Sequence, residues 1–150
     1  MLLSLFKIMK VAIINGPNLN ILGRRDTTTY GDETFDQTLA NLNEYFPSDE
    51  LIYFQSNSEG EIIDFIQKAC FELKVDGIVI NPGAYTHYSY AIADAIADAP
   101  SPVVEVHISN IHAREDFRSK SVTARYASAI IAGCGRMGYR LAIDYLKTVK

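Results

Sequence analysis

The sequence predicts a doubly wound α/β domain: a parallel sheet of roughly five strands, in the order 2-1-3-4-5, with helices on both faces. Short apolar runs closed by Gly, Pro or Asn alternate with segments of helical periodicity. Ser and Thr capping boxes open some of those segments, and the alternation runs from Val11 to Leu146 with no repeat or linker. Parallel strands joined by helices need right-handed crossovers, which place helices on both faces of the sheet.

Val11 to Ile14 is a continuous apolar run stopped by Asn15-Gly16-Pro17, the pattern of a strand buried on both faces. Thr34 and Gln37 form a capping box for a helix with apolar positions Phe35, Leu39, Leu42 and Phe46, ending by Pro47. Leu51 to Gln55 is the second strand. Ser58 and Glu61 form a second box, before a helix with Ile62, Ile63, Ile66, Ala69, Cys70 and Leu73 on its apolar side. Gly77 to Asn81 is a third strand cut off by Pro82-Gly83, and Ala91, Ile92, Ala95 and Ile96 mark a helix that stops near Pro100. Pro102 to His107 and Ala129 to Ala132 are the fourth and fifth strands, and Met137 to Leu146 is the last amphipathic helix. The arrangement is flavodoxin-like.

A chain of 150 residues can bury one sizeable core, so residues 1–150 are read as a single domain with 1–9 a short N-terminal extension. The opening MLLSLFKIMK is apolar, but its lysines come late and no small-residue cleavage site follows, so a strand lead-in is preferred to a signal peptide. Met9 is an alternative start of translation. A net charge of −4 without a Lys/Arg run argues against nucleic acid and anionic membranes as partners. Cys70 and Cys134 lack metal-ligand spacing and suit a reducing, cytoplasmic setting with both thiols buried on helix faces; a disulfide is the lesser reading.

In such sheets ligands bind beyond the carboxyl ends of the strands, at the switch point between strands 1 and 3. The loops after strands 1, 3 and 4 should therefore meet, and they hold His87, His107 and His112 together with Arg24, Arg25, Arg114 and Arg118. Glu105 and His107 are two apart on a strand and share a face, so the carboxylate can orient the imidazole and stabilise its protonated form. This makes His107 a candidate general acid; the alternative is a core histidine satisfied by a backbone carbonyl. Tyr30 lies in a Gly-, Thr- and Arg-rich loop from Gly23 to Gly31, as expected of a lid. A phenol with its ordinary value of about 10 needs nearby cations to act as a base, and Arg24, Arg25 and Arg114 are the candidates. Asn18, after the rigid Gly16-Pro17, is the best-placed neutral donor for a developing enolate, although Asn at turns commonly serves the backbone. Glu105, His107 and His112 could alternatively hold zinc, but the spacing is not that of a helical ligand pair. No glycine pattern cradles phosphate.

The blocks INGPNLN, LGRR, YG, QSNSEGE, INPGAYTH and VEVHISNIHAREDFR resemble the type II 3-dehydroquinate dehydratases, over nearly the whole chain after Met9. The resemblance implies an anti elimination of water through an enolate, without metal or organic cofactor. Tyr30 would be the base and His107 the acid, with Glu105 orienting His107 and Asn18 holding a water against the enolate oxygen. Arg25 would lower the tyrosine pKa, with Arg114 assisting. It further implies substrate binding by Asn81, His87 and Arg118, a carboxylate cradle from the N–H groups of Ile108 and Ser109, and Asp94 supplied by a neighbouring subunit. A homododecamer, a tetramer of trimers, is the expected assembly, and the pathway would be aromatic biosynthesis or quinate catabolism. DTTTY departs from the family pattern in the lid, as do Ala93 and VTARYAS at expected subunit contacts. Binding modules on the same fold are the other class: a receiver would need paired acids where this chain reads NGPN, and a flavin carrier a hydroxyl-rich loop there.

Overall fold

The computed structural model describes residues 7–149. Its parallel sheet contains β1 (Lys10–Asn15), β2 (Glu50–Gln55), β3 (Gly77–Asn81), β4 (Val103–His107) and β5 (Ala129–Ala132), in the order β2-β1-β3-β4-β5. The helices are α1 (Thr27–Tyr30), α2 (Phe35–Tyr45), α3 (Glu59–Phe71), α4 (Tyr90–Asp98) and α5 (Met137–Leu146). Both the predicted fold class and the strand order are those observed.

Alternation along β1 divides the core in two. Val11 and Ile13 face α2 and α5, packing with Phe35, Leu42, Tyr139 and Ile143. Ala12 and Ile14 face α3 and α4, packing with Ile62, Ile66, Ile92 and Ile96. With β3 and β4 also buried throughout, each large aliphatic side chain here contributes about 1.5–3 kcal/mol relative to exposure.

The capping box that opens α2 is complete: Thr34 accepts from the Gln37 N–H and the Gln37 side chain accepts from Thr34 N–H. At α3 it is half-formed. Ser58 Oγ accepts from Glu61 N–H, but the Glu61 carboxylate turns to the Ser56 hydroxyl, and Ser58 N–H donates to Ser56 Oγ at 2.9 Å.

Two further differences from expectation stand out. The loop from Gly23 to Gly31 contains α1, a single helical turn capped by Asp26, whose side chain accepts from Thr28 N–H. Four residues cannot show a 3.6-residue period, and β-branched threonines give no helical signal. Cys134 is exposed in the turn after β5 rather than buried on a helix, and only Cys70 is buried as expected. Residues 1–6 of the extension lie outside the described residues, and Lys7 to Met9 carry no regular structure. No described helix is long and apolar enough to cross a membrane.

At the switch point, the turns after β1 and β3 interlock. Gly16 N–H donates to the Asn81 carbonyl at 2.7 Å, and a Cβ on Gly16 would stand 2.5 Å from the Pro82 carbonyl oxygen. Gly83, at φ +60°, packs on Pro17 in the same way, with a would-be Cβ at 3.2 Å. Only glycine allows two backbones to approach this closely. Beneath them, the buried Tyr139 hydroxyl donates to Asn15 Oδ1 at 2.8 Å and accepts from Asn81 Nδ2 at 3.0 Å, tying the ends of β1 and β3 to α5. Burial pushes this phenol far above the ordinary tyrosine value, so it stays neutral.

Candidate active site

A cavity of about 110 Å³ lies beyond the carboxyl ends of β1, β3 and β4, walled by the three loops expected to meet there. Asn18, Arg25, Tyr30, Asn81, His87, His107, Ile108, Ser109, Arg114 and Arg118 all line it. Of the predicted site residues, only Glu105 and Asp94 do not. Glu105 stands behind His107, and Asp94 is on the exposed side of α4.

Tyr30, the last residue of α1, is held by two arginines. Arg114 Nη1 donates to the phenol oxygen at 2.9 Å and to Ser109 Oγ at 3.1 Å. Arg25 lies over the ring, with Cζ 4.0 Å from the centroid. The expected priority is thus altered in geometry: Arg114 meets the reacting oxygen and Arg25 meets the ring face.

His107 and Glu105 are buried on the same face of β4, with Nε2 and Oε2 3.2 Å apart. Nε2 thus lies close to the carboxylate without a completed hydrogen bond. Three hydroxyls surround the carboxylate: Thr86 donates to Oε1 at 3.0 Å, Ser121 donates to Oε2 at 2.9 Å, and Thr123 donates to Oε1. Burial alone would raise the Glu105 pKa, but His107 with the Thr123 and Ser121 hydroxyls outweighs it and leaves the carboxyl below its ordinary range. The result is a dry, ionised carboxylate beside an imidazole.

Asn18 sits in the left-handed region at φ 67°, and its N–H donates to Asn57 Oδ1 at 3.0 Å. Its side chain caps no helix N–H. Asn81 is more committed than expected, since besides the bond to Tyr139 its Oδ1 accepts from Gly83 N–H at 3.1 Å. His87 Nδ1 is 2.8 Å from the Lys120 carbonyl. A carbonyl only accepts, so Nδ1 carries the proton and Nε2 is left as an acceptor. Burial lowers the pKa of this imidazole and keeps it neutral at pH 7. Arg118 Nε donates to Glu115 at 2.6 Å, which leaves the rest of the guanidinium to the cavity it lines.

The chain that carries this cavity is similar to known proteins over nearly its whole length. The family model for class II dehydroquinase matches residues 9–147. The chain belongs to this family. It is 51% identical over 143 residues to a 3-dehydroquinate dehydratase of Thermotoga neapolitana, covering 94% of this chain and 96% of that one. It is 54% identical over 144 residues to a 3-dehydroquinate dehydratase of Clostridium beijerinckii, covering 95% and 98% of the two chains. The crystal structure of a type II dehydroquinase from Butyrivibrio crossotus superposes with a TM-score of 0.91 at 51% identity, covering 94% of this chain and 99% of that one.

Within this class II dehydroquinase chain, the zinc alternative loses its ligand set. His112 is exposed and absent from the cavity, and no three His, Cys, Asp or Glu side chains among the described residues lie close enough to hold a metal. Two groups of supporting residues escaped the sequence reading. Asn57, in the loop after β2, fixes Asn18 and is itself held by Gln55 Nε2 at 3.1 Å. Thr86, Ser121 and Thr123 surround Glu105. The block QSNSEGE flagged Asn57 without giving it a role, whereas nothing local marks a hydroxyl as the partner of a distant carboxylate.

Proposed function

We propose that this chain removes water from 3-dehydroquinate to form 3-dehydroshikimate, by an anti elimination through an enolate. The observation that carries the reading is the contact of Arg114 with the Tyr30 oxygen in the cavity that His107 also lines. The Tyr30 oxygen, held by that guanidinium, takes the proton next to the ketone, and the cation offsets negative charge on the oxygen as it acts. Electrons from that C–H bond form the enolate, whose oxygen is met by a water held on Asn18. His107, backed by the Glu105 carboxylate, gives a proton to the departing hydroxyl, and the carbonyl re-forms as the new double bond is made. Tyr30 then carries a proton and His107 lacks one, so solvent exchange resets both.

Around the reacting carbons, Asn81, His87 and Arg118 bind the hydroxyls and carboxylate, and the N–H groups of Ile108 and Ser109 cradle that carboxylate. Arg25 closes over the site with the lid. Each step is assigned to side chains, so the reading needs no metal or organic cofactor. The proposed assembly is a homododecamer, a tetramer of trimers, in which Asp94 serves a neighbouring site. The cytoplasm is the proposed location, in keeping with the unpaired Cys70 and Cys134. The test is to mix pure protein with 3-dehydroquinate and follow the near-ultraviolet absorbance of the conjugated enone acid. Its appearance is expected; a flat trace with authentic substrate overturns the reading.

A further inference from the structure

We infer that Arg136 is a positioning residue, whose guanidinium fixes the lid backbone on both sides of Gly31 and through it places the phenol of Tyr30. The inference rests on reading Tyr30 as the base. Arg136 Nη2 donates to the carbonyl of Tyr30 at 3.1 Å and to that of Glu33, while Nη1 donates to Thr38 Oγ1 on α2 at 3.0 Å. One side chain thus joins the start of α5, the body of α2 and the end of the lid. Tyr30 is held at both ends by arginine, its hydroxyl by Arg114 and its carbonyl by Arg136.

The placement of this cation is not explained by helix stability or ion pairing. Arg136 precedes the first turn of α5, where the positive end of the helix dipole disfavours a cation. Among the described residues no carboxylate lies within ion-pair distance of it. Its Nε is buried without a partner, and leaving that one nitrogen unsatisfied has a cost that the contacts with the lid and α2 must offset.

The lid has a matching need. Its first end is fixed by packing: Gly23, at φ +89°, brings its would-be Cβ within 3.0 Å of the Asp32 carbonyl. Its second end is less packed: Gly31 at φ +77° has nothing within 4 Å of where a Cβ would be, and its N–H donates to the Thr27 carbonyl at 2.9 Å. An open groove of about 490 Å³, bordered by Tyr30, Gly31, Arg114 and Arg136, lies beside this glycine, so little packs against it. The guanidinium, gripping the carbonyls before and after Gly31, is the side-chain restraint that adds to this backbone bond. Misplacement of a reacting group by about 1 Å can cost as much as 10²-fold in rate, so a clamp on the backbone of the base is a clamp on turnover.

The experiment compares wild type, Arg136→Met and Arg136→Lys for kcat, KM, the pH dependence of kcat, melting temperature, and the rate of tryptic cleavage at Arg24 and Arg25 without substrate. Arg136→Met is expected to lower kcat about tenfold or more, move rate recovery to higher pH as the Tyr30–Arg114 contact loosens, and expose the lid to trypsin. Arg136→Lys should recover part of each, because an ammonium can still reach the carbonyls. A lower melting temperature with kcat, pH profile and cleavage rate unchanged would assign Arg136 to stability alone and overturn the inference. Should Arg136→Met not fold, Thr38→Val removes the Nη1 contact and is read by the same measurements, with unchanged values counting against the clamp. Tyr30→Phe is run in parallel: full turnover there refutes the reading of Tyr30 as base, while trypsin still reports on the clamp by itself.

Discussion

Arg114 donates to the Tyr30 phenol oxygen at 2.9 Å, whereas Arg25 stacks its guanidinium 4.0 Å from the centre of the same ring. A cation bonded to the oxygen acts on the charge that forms there, and a cation over the ring face acts on the less basic π cloud. Arg114→Gln is therefore expected to reduce kcat and move rate recovery to higher pH by more than Arg25→Gln does. Arg25→Gln should act mainly through lid closure, with a larger effect on KM. Measuring kcat against pH for both variants beside wild type decides the order, and a larger shift for Arg25→Gln would return the activating role to the lid arginine.

Tyr30→Phe deletes only the phenol oxygen and leaves the packing of α1 intact. Loss of a general base should cost on the order of 10²–10⁴ in kcat while substrate still binds. Steady-state rates paired with equilibrium binding of 3-dehydroquinate test this. Turnover near wild type would place the base elsewhere.

Thr123→Val should weaken the fold and the acid limb together. Glu105 is fully buried, and Thr123 is one of the hydroxyls that hold its charge. Removing a hydrogen bond to a buried charged group costs about 1.5–3 kcal/mol. Because the folded-state pKa of Glu105 lies below the ordinary value, its contribution is present above the unfolded value of about 4.3 and is lost as pH falls through the folded one. The substitution raises the folded value, so the loss should begin at higher pH. Denaturant midpoints measured from neutral to acid pH would show it, and parallel curves for variant and wild type would exclude the hydroxyl from this role.

The contrast between what could be read in advance and what could not follows sequence distance. Gly77–Asn81 has its predicted bounds because a strand buried on both faces writes itself as a run of adjacent apolar residues, and Ala129–Ala132 has them because its run is apolar although the strand is only partly covered. The cavity was located because the switch point follows from strand order, and the histidines and arginines of three loops then coincided. Contacts that cross the fold were not legible. Thr123 meets Glu105 from 18 residues away, Asn57 meets Asn18 from 39, and Arg136 meets the Tyr30 carbonyl from 106. Each is a polar group in a loop or helix start whose composition would equally suit solvent. Cys134 was misplaced for the same reason, since a thiol between two glycines reads as apolar until its turn is seen to face water.

Turnover is expected to persist in excess chelator and to resist borohydride with substrate present. Hydroxyls and His107 occupy the Glu105 carboxylate, and His112 stands outside the cavity, so the zinc set cannot assemble without rebuilding the loop after β4. No lysine lines the cavity to form an imine. Loss with chelator that zinc restores, or substrate-dependent inactivation by borohydride, would each require a different chemistry.

The last prediction concerns Asp94. It is exposed on α4 and lines no part of this chain's own cavity, so a role in binding requires a second copy. Tyr88 and Tyr90, beside the start of the same helix, are also exposed, at 60% and 68%, and large aromatic side chains are enriched where proteins meet. If Asp94 completes a neighbour's site, Asp94→Asn should lower activity without lowering the melting temperature. It should also be complemented by a subunit defective in a different part of the machinery. Tyr30→Phe supplies that subunit: it has no base of its own but offers an intact Asp94. Mixing the two variants, dissociating and reassembling them should then produce sites with a wild-type Tyr30 on one chain and a wild-type Asp94 on the next. Activity should rise above the sum of the separate variants. The necessary control is proof by mass that mixed oligomers formed. If they form and activity does not recover, Asp94 acts within its own chain or not at all, and an Asp94→Asn variant with full turnover would decide for the second.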